Sequence, residues 1–478
     1  MMQMPGLKDL NRQNTKLVMA MCCFQVLLIS LPFFVHNAFS AILVLGVLSV
    51  VALVGAPTVA VIYLCFVSAV IPTGIYDNYL GLPMGVKFYE GLVVVVGGLA
   101  GVTWLLGGRL DWPRRTRLDR PILFLLGLIL FSCVLGIFYG HSMSQIVRDV
   151  RYPLYYGLFF VVTGFFDLRK SQTFLYVVIT IAAAVGLEYL FEFFSMVNLS
   201  ISGSFFRVSR LEGVLLPVGV LSIAAFLLFE QRVHRRVFCF IALLPTGLAL
   251  VLTMGRGMWV ALSVGLLVLG WLVWHDFNAR NQRRNRLLIV MVIPVVLVGL
   301  TYLFQSQTRT SVGATAMLRV TRAAGDYEQD HSIAGRLIAY GLALEKIRLH
   351  PLLGNGHGVT IRLLAPDLNP PTFVTIGGVD SVYLTVAMRM GAVGVVAFLW
   401  VFCTGIWRAY RLFQIATEEN TRLFCAVFIA VYCALLIFGI GDATLFANRL
   451  IFIHATFLGI LARLDAEERG AILMAKAA

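Results

Sequence analysis

The stretch PILFLLGLILFSCVLGIFY, residues 121–139, contains no charged side chain over its whole length. A helix of about 20 apolar residues crosses the ~30 Å hydrocarbon layer of a bilayer. Inside that layer only helices and closed barrels satisfy all backbone hydrogen bonds. Comparable apolar runs recur from one end of the chain to the other. The sequence therefore predicts an all-α, polytopic membrane protein.

The composition supports a membrane protein and excludes several other classes. Of the 478 residues, 59% are hydrophobic and 13% are charged, whereas soluble proteins average roughly 45–50% and about 25%. A soluble enzyme and a disordered chain are therefore excluded. All eight cysteines lie in apolar runs without CxxC or Cys/His spacing, so we expect no disulfide framework and no zinc site. No motif of the chain predicts a cofactor.

The apolar runs predict about 12–14 transmembrane helices. The candidate spans are residues 17–35, 39–54, 57–75, 89–107, 121–139, 152–166, 172–196, 214–230, 237–253, 257–274, 287–305, 380–405, 422–440 and 446–463. We divide the chain into N-terminal transmembrane helices (1–305, about 11 spans), a large outer loop with short helices (306–379), and C-terminal spans with a tail (380–478).

The basic residues predict the orientation in the membrane. The net charge is +14, and most lysines and arginines lie in short loops between apolar runs. Positive charge in short loops marks the cytoplasmic side, and these basic loops fall on one side when the N-terminus is inside. We therefore expect both termini in the cytoplasm, and membrane lipids instead of nucleic acid as the partners of this charge.

The long outer loop contains one amphipathic helix candidate, which begins near Ile333. Its apolar residues recur at helical spacing; they are Leu337, Tyr340, Leu344 and Ile347. Pro351 is expected to end this helix, because proline disfavours a helical residue before it and supplies no N–H. Gly354 and Gly356 then indicate a turn whose backbone can approach a neighbour closely.

Arginines on the outer side are the exceptions to the orientation rule. Arg207, Arg210 and Arg256 lie at the ends of neighbouring spans, and arginine binds phosphate oxygens through a two-pronged fork. We expect a site for an anion such as a lipid-linked diphosphate; contact with lipid headgroups is the alternative. Arg389 lies within a span, so it is expected to face protein or a watery cavity.

Two residues are candidates for the general base of a transfer reaction. Asp380 opens the span after the long loop, and a carboxylate there would accept the proton that an acceptor hydroxyl loses. The alternative is a charge that only stabilises the helix N-terminus. His350 lies in the loop, where a histidine could serve as a general base near neutral pH; a structural role is the more common alternative.

Residues 335–358, GRLIAYGLALEKIRLHPLLGNGHG, resemble the bacterial O-antigen ligase family, which includes polysaccharide polymerases. The shared pattern is an arginine, an amphipathic stretch and His-Pro-x-x-Gly-x-Gly. Further similarities follow the family order at residues 207–213, at the Met-Gly-Arg-Gly-Met-Trp tip (254–259) and at residues 380–391, which begin Asp-Ser-Val-Tyr-Leu.

The resemblance implies a multi-pass glycosyltransferase of the bacterial inner membrane. Such enzymes move a glycan from undecaprenyl diphosphate to an acceptor sugar in the periplasm, without a metal ion or a nucleotide. The residues that match the family's diphosphate-binding arginines are Arg207 or Arg210, Arg256 and Arg336. Asp380 or His350 would be the base, and lipid A core or a growing polymer would be the acceptor.

Two questions stay open at this point. The family's ligases usually carry histidine where this chain has Asp380, so a polymerase is as consistent with the sequence as a ligase. A transporter or flippase is a second reading, in which Glu188, Glu192 and Arg389 would line a path. Transporters often contain internal repeats, whereas this chain has none and its polar residues crowd toward one face. We therefore favour the enzyme.

Overall fold

The computed structural model describes residues 57–71, 87–106, 116–199, 211–253, 255–275, 331–365 and 372–477. The helices of these segments are α1 (Pro57–Val70), α2 (Phe88–Leu106), α3 (Asp119–Phe138), α4 (Met143–Leu154), α5 (Leu158–Phe165), α6 (Ser171–Leu199), α7 (Leu215–Phe229), α8 (Val233–Leu252), α9 (Arg256–Trp274), α10 (His331–Leu349), α11 (Val382–Ile415), α12 (Glu419–Phe438), α13 (Thr444–Ala447) and α14 (Ile451–Ala477). Strands β1 (Ile361–Ala365) and β2 (Thr372–Ile376) form an antiparallel pair.

Seven helices of the described segments are long and apolar enough to cross a bilayer; they are α3, α6, α7, α8, α9, α11 and α12. The prediction of an all-α polytopic membrane protein is confirmed. The predicted spans at 17–35, 39–54 and 287–305 lie outside the described residues. The total of 12–14 helices and the three-part division of the chain therefore stay predictions.

Helix α7 forms the centre of the bundle, and every one of its residues is buried. It packs against α6, α8, α9 and α12. Gly219 allows the closest approach, since a Cβ at this position would lie 2.2 Å from the Cβ of Ala182 on α6. Small residues that admit a neighbouring backbone are typical of packing between membrane helices.

The predicted span at 152–166 differs from the structure. The chain forms the amphipathic helix α4, a 3-10 turn at Tyr155–Gly157 and the short helix α5. Pro153 lies in the last turn of α4 and supplies no N–H to it. Neither helix reaches the length of a membrane span. Helix α4 lies at one end of the bundle, and its charged residues include Asp149 and Arg151.

The long loop also differs in part from expectation. Its helix α10 is a regular element of 19 residues, and the two-stranded sheet was not predicted. The packed face of α10 is centred on the buried Ala339 and Ala343, whereas Leu337 and Leu344 of the predicted apolar stripe are exposed. Alanine lets α10 approach the sheet and α11 closely, which a stripe of leucines would prevent.

Segments that are predicted on the same side of the membrane lie at the same end of the helix bundle. His141 and Asn355, both predicted outside, are joined by a hydrogen bond of 2.9 Å between the His141 Nε2 and the Asn355 carbonyl oxygen. Gln231 and Glu419, both predicted inside, are joined by a side-chain bond of 3.3 Å. We call these two regions the outer end and the inner end.

Candidate active site

Asp380 lies at the outer end, directly before α11. Ser381 caps the helix by accepting a hydrogen bond from the Leu384 N–H. The Val382 N–H donates to the carbonyl oxygens of Gly439 (2.9 Å) and Asp442 (3.0 Å). The turn that follows α12 is thus fixed to the first residues of α11, and Asp380 is held beside it.

Helix α10 contributes two side chains to this position. The Arg336 Nε donates to the Asp380 carboxylate at 3.1 Å, and the two side chains are 41% and 66% exposed. The Tyr340 hydroxyl lies 2.6 Å from the Asp380 carbonyl oxygen and 3.2 Å from that of Ile440. Because the contact uses Nε, the terminal amino groups of Arg336 remain available to other acceptors.

A second carboxyl group stands close to this pair. Burial raises the pKa of Asp442, and the charge of Asp380 raises it further, whereas hydrogen bonds from Thr444 and the charge of Arg336 act in the opposite direction. These interactions place Asp442 in the same electrostatic environment as the exposed pair. None of the sequence motifs includes Asp442.

Arg256 begins α9 at the same end of the bundle. A Cβ on the next residue, Gly257, would lie 3.3 Å from the ring of Phe438, the last residue of α12. Arg256 therefore lies beside the helix end that leads into the 439–442 turn. The structure brings three of the predicted residues to this region, namely Arg256, Arg336 and Asp380.

Arg207 and Arg210 lie outside the described residues. Glu212, which follows them, is buried and forms an ion pair with Arg449. The same guanidinium donates to the Ile71 carbonyl oxygen at 2.9 Å. The described part of this connection is therefore anchored at the outer end, between α1 and the start of α14.

His350 is separated from the other candidates. It follows the C-terminal end of α10, where its ring stacks on Tyr139 with 4.6 Å between the ring centres. At 1.5 Å of rise per residue, Arg336 and His350 are about 20 Å apart along the helix. The two predicted bases therefore occupy opposite ends of α10, and Asp380 is the one that contacts Arg336.

Gly354 and Gly356 belong to a turn that fills a break in α11. Both have positive φ angles, +75° and +80°. The N–H of Asn355 donates to the Met388 carbonyl oxygen, and that of Gly356 donates to the Arg389 carbonyl oxygen. The hydrogen bonds that α11 loses at its break are thus replaced by bonds to the turn.

Arg389 lies beneath this turn with its side chain almost fully buried. It contacts Asp149 of α4 at 3.1 Å and donates to the Gly377 carbonyl oxygen at 2.8 Å. The Gly358 N–H donates to the other oxygen of Asp149 at 3.1 Å. Burial raises the pKa of Asp149, and the charge of Arg389 counteracts this effect.

His357 completes the buried polar group. Its Nδ1 lies 2.8 Å from the Ser132 hydroxyl, which donates to the Arg389 carbonyl oxygen. Burial and the charge of Arg389 hold the pKa of His357 well below its usual value. The sequence predicted that Arg389 faces protein or a watery cavity, but it did not identify Asp149 or Ser132 as neighbours.

Residues 238–399 match the family described as O-antigen ligase. The matched segment covers about a third of the chain. The family resemblance drawn from the sequence motifs is confirmed. The matched segment extends from α8 into α11 and includes Arg256, Arg336, His350 and Asp380. No curated protein matches the chain at a significant level.

Proposed function

We propose that this protein is a glycosyltransferase of the O-antigen ligase type in the bacterial inner membrane. It moves a glycan from undecaprenyl diphosphate to an acceptor sugar at the periplasmic face, where the outer end lies. The observation that carries the proposal is the contact between two exposed, oppositely charged groups, Asp380 and Arg336. Transfer needs a base for the acceptor hydroxyl and a cation for the leaving diphosphate.

In the proposed reaction, the oxygen of the acceptor hydroxyl attacks the anomeric carbon of the donor glycan. The bond from this carbon to the diphosphate oxygen breaks, and its electron pair leaves with the diphosphate. Asp380 takes the hydroxyl proton, and Arg336 neutralises the added negative charge. Arg256 assists, together with Arg207 or Arg210. One displacement of this kind inverts the anomeric carbon.

Asp380 is preferred over His350 as the base because of its position. A base has to act within hydrogen-bond reach of the acceptor hydroxyl. The cations have to contact the diphosphate, which is bonded to the anomeric carbon that this hydroxyl attacks. The base and the cations must therefore lie near one another. Asp380 touches Arg336, whereas His350 lies about 20 Å away along α10. His350 is therefore assigned to holding the loop, through its stacking on Tyr139.

The acceptor decides between a ligase and a polymerase. Deletion of the protein distinguishes them: a ligase loses the banding pattern of lipopolysaccharide, and a polymerase loses a secreted polymer or its longer chains. A ligase and a polymerase would carry out the same reaction at Asp380, because they share the donor and the leaving group. The phenotype thus also supplies the assay for variants of the site.

The proposed base is tested with two substitutions at one position. Asp380→Asn is expected to reduce polymer yield by at least about 100-fold, since general-base catalysis typically contributes 10²–10⁴-fold. Asp380→His is expected to retain activity, since imidazole also accepts a proton. The exposed pair with Arg336 stabilises the fold by only about 0–1 kcal/mol, so both variants should insert normally.

Asp167→Asn is the matched control, because this exposed aspartate lies at the inner end. It should leave polymer yield unchanged. Normal yield from Asp380→Asn would reject Asp380 as the base. A flippase, which performs no proton transfer on the glycan, would tolerate Asp380→Asn and would leave untransported donor when deleted.

A further inference from the structure

A cavity of about 510 Å³ opens between α10 and the β1–β2 hairpin. One wall is formed by Leu342, Glu345 and Lys346 of α10. The opposite wall consists of Thr360, Ile361, Arg362 and Thr375. Its volume falls within the range of ligand-binding sites, about 300–1,000 Å³. No motif of the sequence analysis and no step of the proposed transfer uses it.

The walls of the cavity are held in place from behind. Ala343 and Ile361 are buried in a small hydrophobic cluster that joins α10, the hairpin and Met388 of α11. The Asn355 Nδ2 donates to the Lys346 carbonyl oxygen at 2.8 Å. A preformed wall reduces the entropy that a ligand would lose by ordering it.

The chemistry of the lining suits a sugar with an acidic group. Lys346 and Arg362 supply two cations, and neither forms an ion pair with another residue of the described segments. Arg362 pairs in register with Thr375, so these side chains share one face of the hairpin. The Glu345 carboxylate and the two threonine hydroxyls can hydrogen-bond sugar hydroxyl groups.

The cavity lies within the reach of a short glycan from Asp380. Lys346 is ten residues from Arg336 along α10, which corresponds to about 15 Å. From Thr375 the chain reaches Asp380 in five residues, or at most about 17 Å when extended. A glycan of a few sugar units can therefore extend from the cavity to Asp380, whereas a diphosphate bound at Arg336 is too short to reach the cavity.

We propose that this cavity binds an acidic sugar unit of a glycan substrate, with Lys346 and Arg362 contacting its carboxylate or phosphate group. This inference rests on the proposed transfer reaction and adds a substrate class to it. The acidic unit belongs either to the donor glycan or to the acceptor. Binding here holds the chain so that a distant unit reaches Asp380.

Titration calorimetry on the full-length protein in detergent tests this assignment. The probes are trigalacturonate, which carries three carboxylates, and maltotriose, a neutral trisaccharide. Trigalacturonate should bind at least tenfold more tightly. The double variant Lys346→Gln/Arg362→Gln should lose at least tenfold in this affinity. The control Arg148→Gln/Arg348→Gln removes equal charge from exposed positions outside the cavity and should bind as the unchanged protein does.

Equal binding of the two probes would overturn the proposal, and so would an equal loss in the control, which would indicate diffuse attraction. Competition then identifies the source: the glycan released from the lipid-linked donor, or the acceptor saccharide, displaces trigalacturonate. Displacement by neither also rejects the assignment.

Asp380→Asn keeps the two proposals separate. This variant should bind trigalacturonate normally while failing in transfer. Normal transfer by Asp380→Asn, with charge-selective binding intact, would reject the proposed base and keep the cavity. Unchanged probe binding in Lys346→Gln/Arg362→Gln, with transfer lost in Asp380→Asn, would reject the cavity alone.

Discussion

At the scale of single residues, the outer end contains ion pairs of two kinds. Arg336 and Asp380 are both exposed, and such a pair contributes about 0–1 kcal/mol to stability. Arg389 and Asp149 are largely buried, and removal of one partner of a buried pair typically destabilises by about 3–5 kcal/mol. Substitutions at the first pair therefore report on chemistry, and those at the second report on folding.

His357 makes stability depend on pH. Its side chain is buried, and burial and the charge of Arg389 lower its pKa well below 6.5. The unfolded state therefore binds a proton below about pH 6.5 that the folded state does not bind, and stability falls as the pH decreases. The loss grows as the pH falls below 6.5, by at most about 1.4 kcal/mol for each pH unit.

Thermal unfolding in detergent at pH 5 and pH 7.5 checks this prediction with His357→Asn. This variant is less stable at pH 7.5, since the bond to Ser132 is altered, but it lacks the histidine titration. The difference in stability between the two proteins should therefore be smaller at pH 5. A difference that is independent of pH would contradict the assignment of a neutral, buried His357.

At the scale of elements, the break in α11 decides how the long loop is attached. Gly391 has φ +63° and ψ −165°, a conformation that is essentially limited to glycine. The N–H groups of Ala392 and Val393 donate to the carbonyl oxygens of Pro351 and Leu352. The loop is thereby bonded to both sides of the break, which fixes the position of α10 and of Arg336.

Gly391→Ala is expected to destabilise the protein by at least about 2 kcal/mol. The backbone conformation is strained for alanine, and the new Cβ would lie 2.2 Å from the Leu352 carbonyl oxygen. Gly127→Ala on α3 is the matched control, because no atom lies within 4 Å of its Cβ position. Equal unfolding temperatures for both variants in detergent would contradict the role of the break.

At the scale of the whole molecule, the two ends differ in what they carry. The outer end holds the candidate site and the long loop, whereas the inner end includes short basic connections such as residues 232–236. The hydrogen bonds His141–Asn355 at the outer end and Gln231–Glu419 at the inner end agree with the predicted topology. In that topology the basic loops face the cytoplasm. The proposed reaction requires the outer end to face the periplasm.

Cysteine labelling in spheroplasts tests this orientation. In a background with the eight native cysteines replaced by alanine, Ser144→Cys at the outer end should react with a membrane-impermeant maleimide. Gln231→Cys at the inner end should react only after permeabilisation. Both positions are exposed on the protein surface, so a difference in labelling reports the side of the membrane on which each one lies. The opposite labelling pattern would place the site in the cytoplasm and reject a periplasmic transfer reaction.

The sequence predicted the features that depend on local pattern. Apolar runs of about 20 residues indicate helices, because a helix satisfies its backbone hydrogen bonds within one segment inside lipid. The motif at 335–358 indicated the family, and Pro351 marked the end of α10 to within two residues. The sheet was not predicted, although residues 372–376, TFVTI, are rich in the β-branched side chains that favour strands.

The sequence by itself determined a helical membrane protein with a long loop between its spans, since hydrophobic length and helical period are properties of consecutive residues. Only the tertiary structure placed Asp380 against Arg336, set His350 apart from them and supplied Asp149 as the partner of Arg389. Asp149 and Arg389 are separated by 240 positions in the chain. Which charges meet across such separations depends on how the helices pack and on the break at Gly391, and no local pattern encodes that packing.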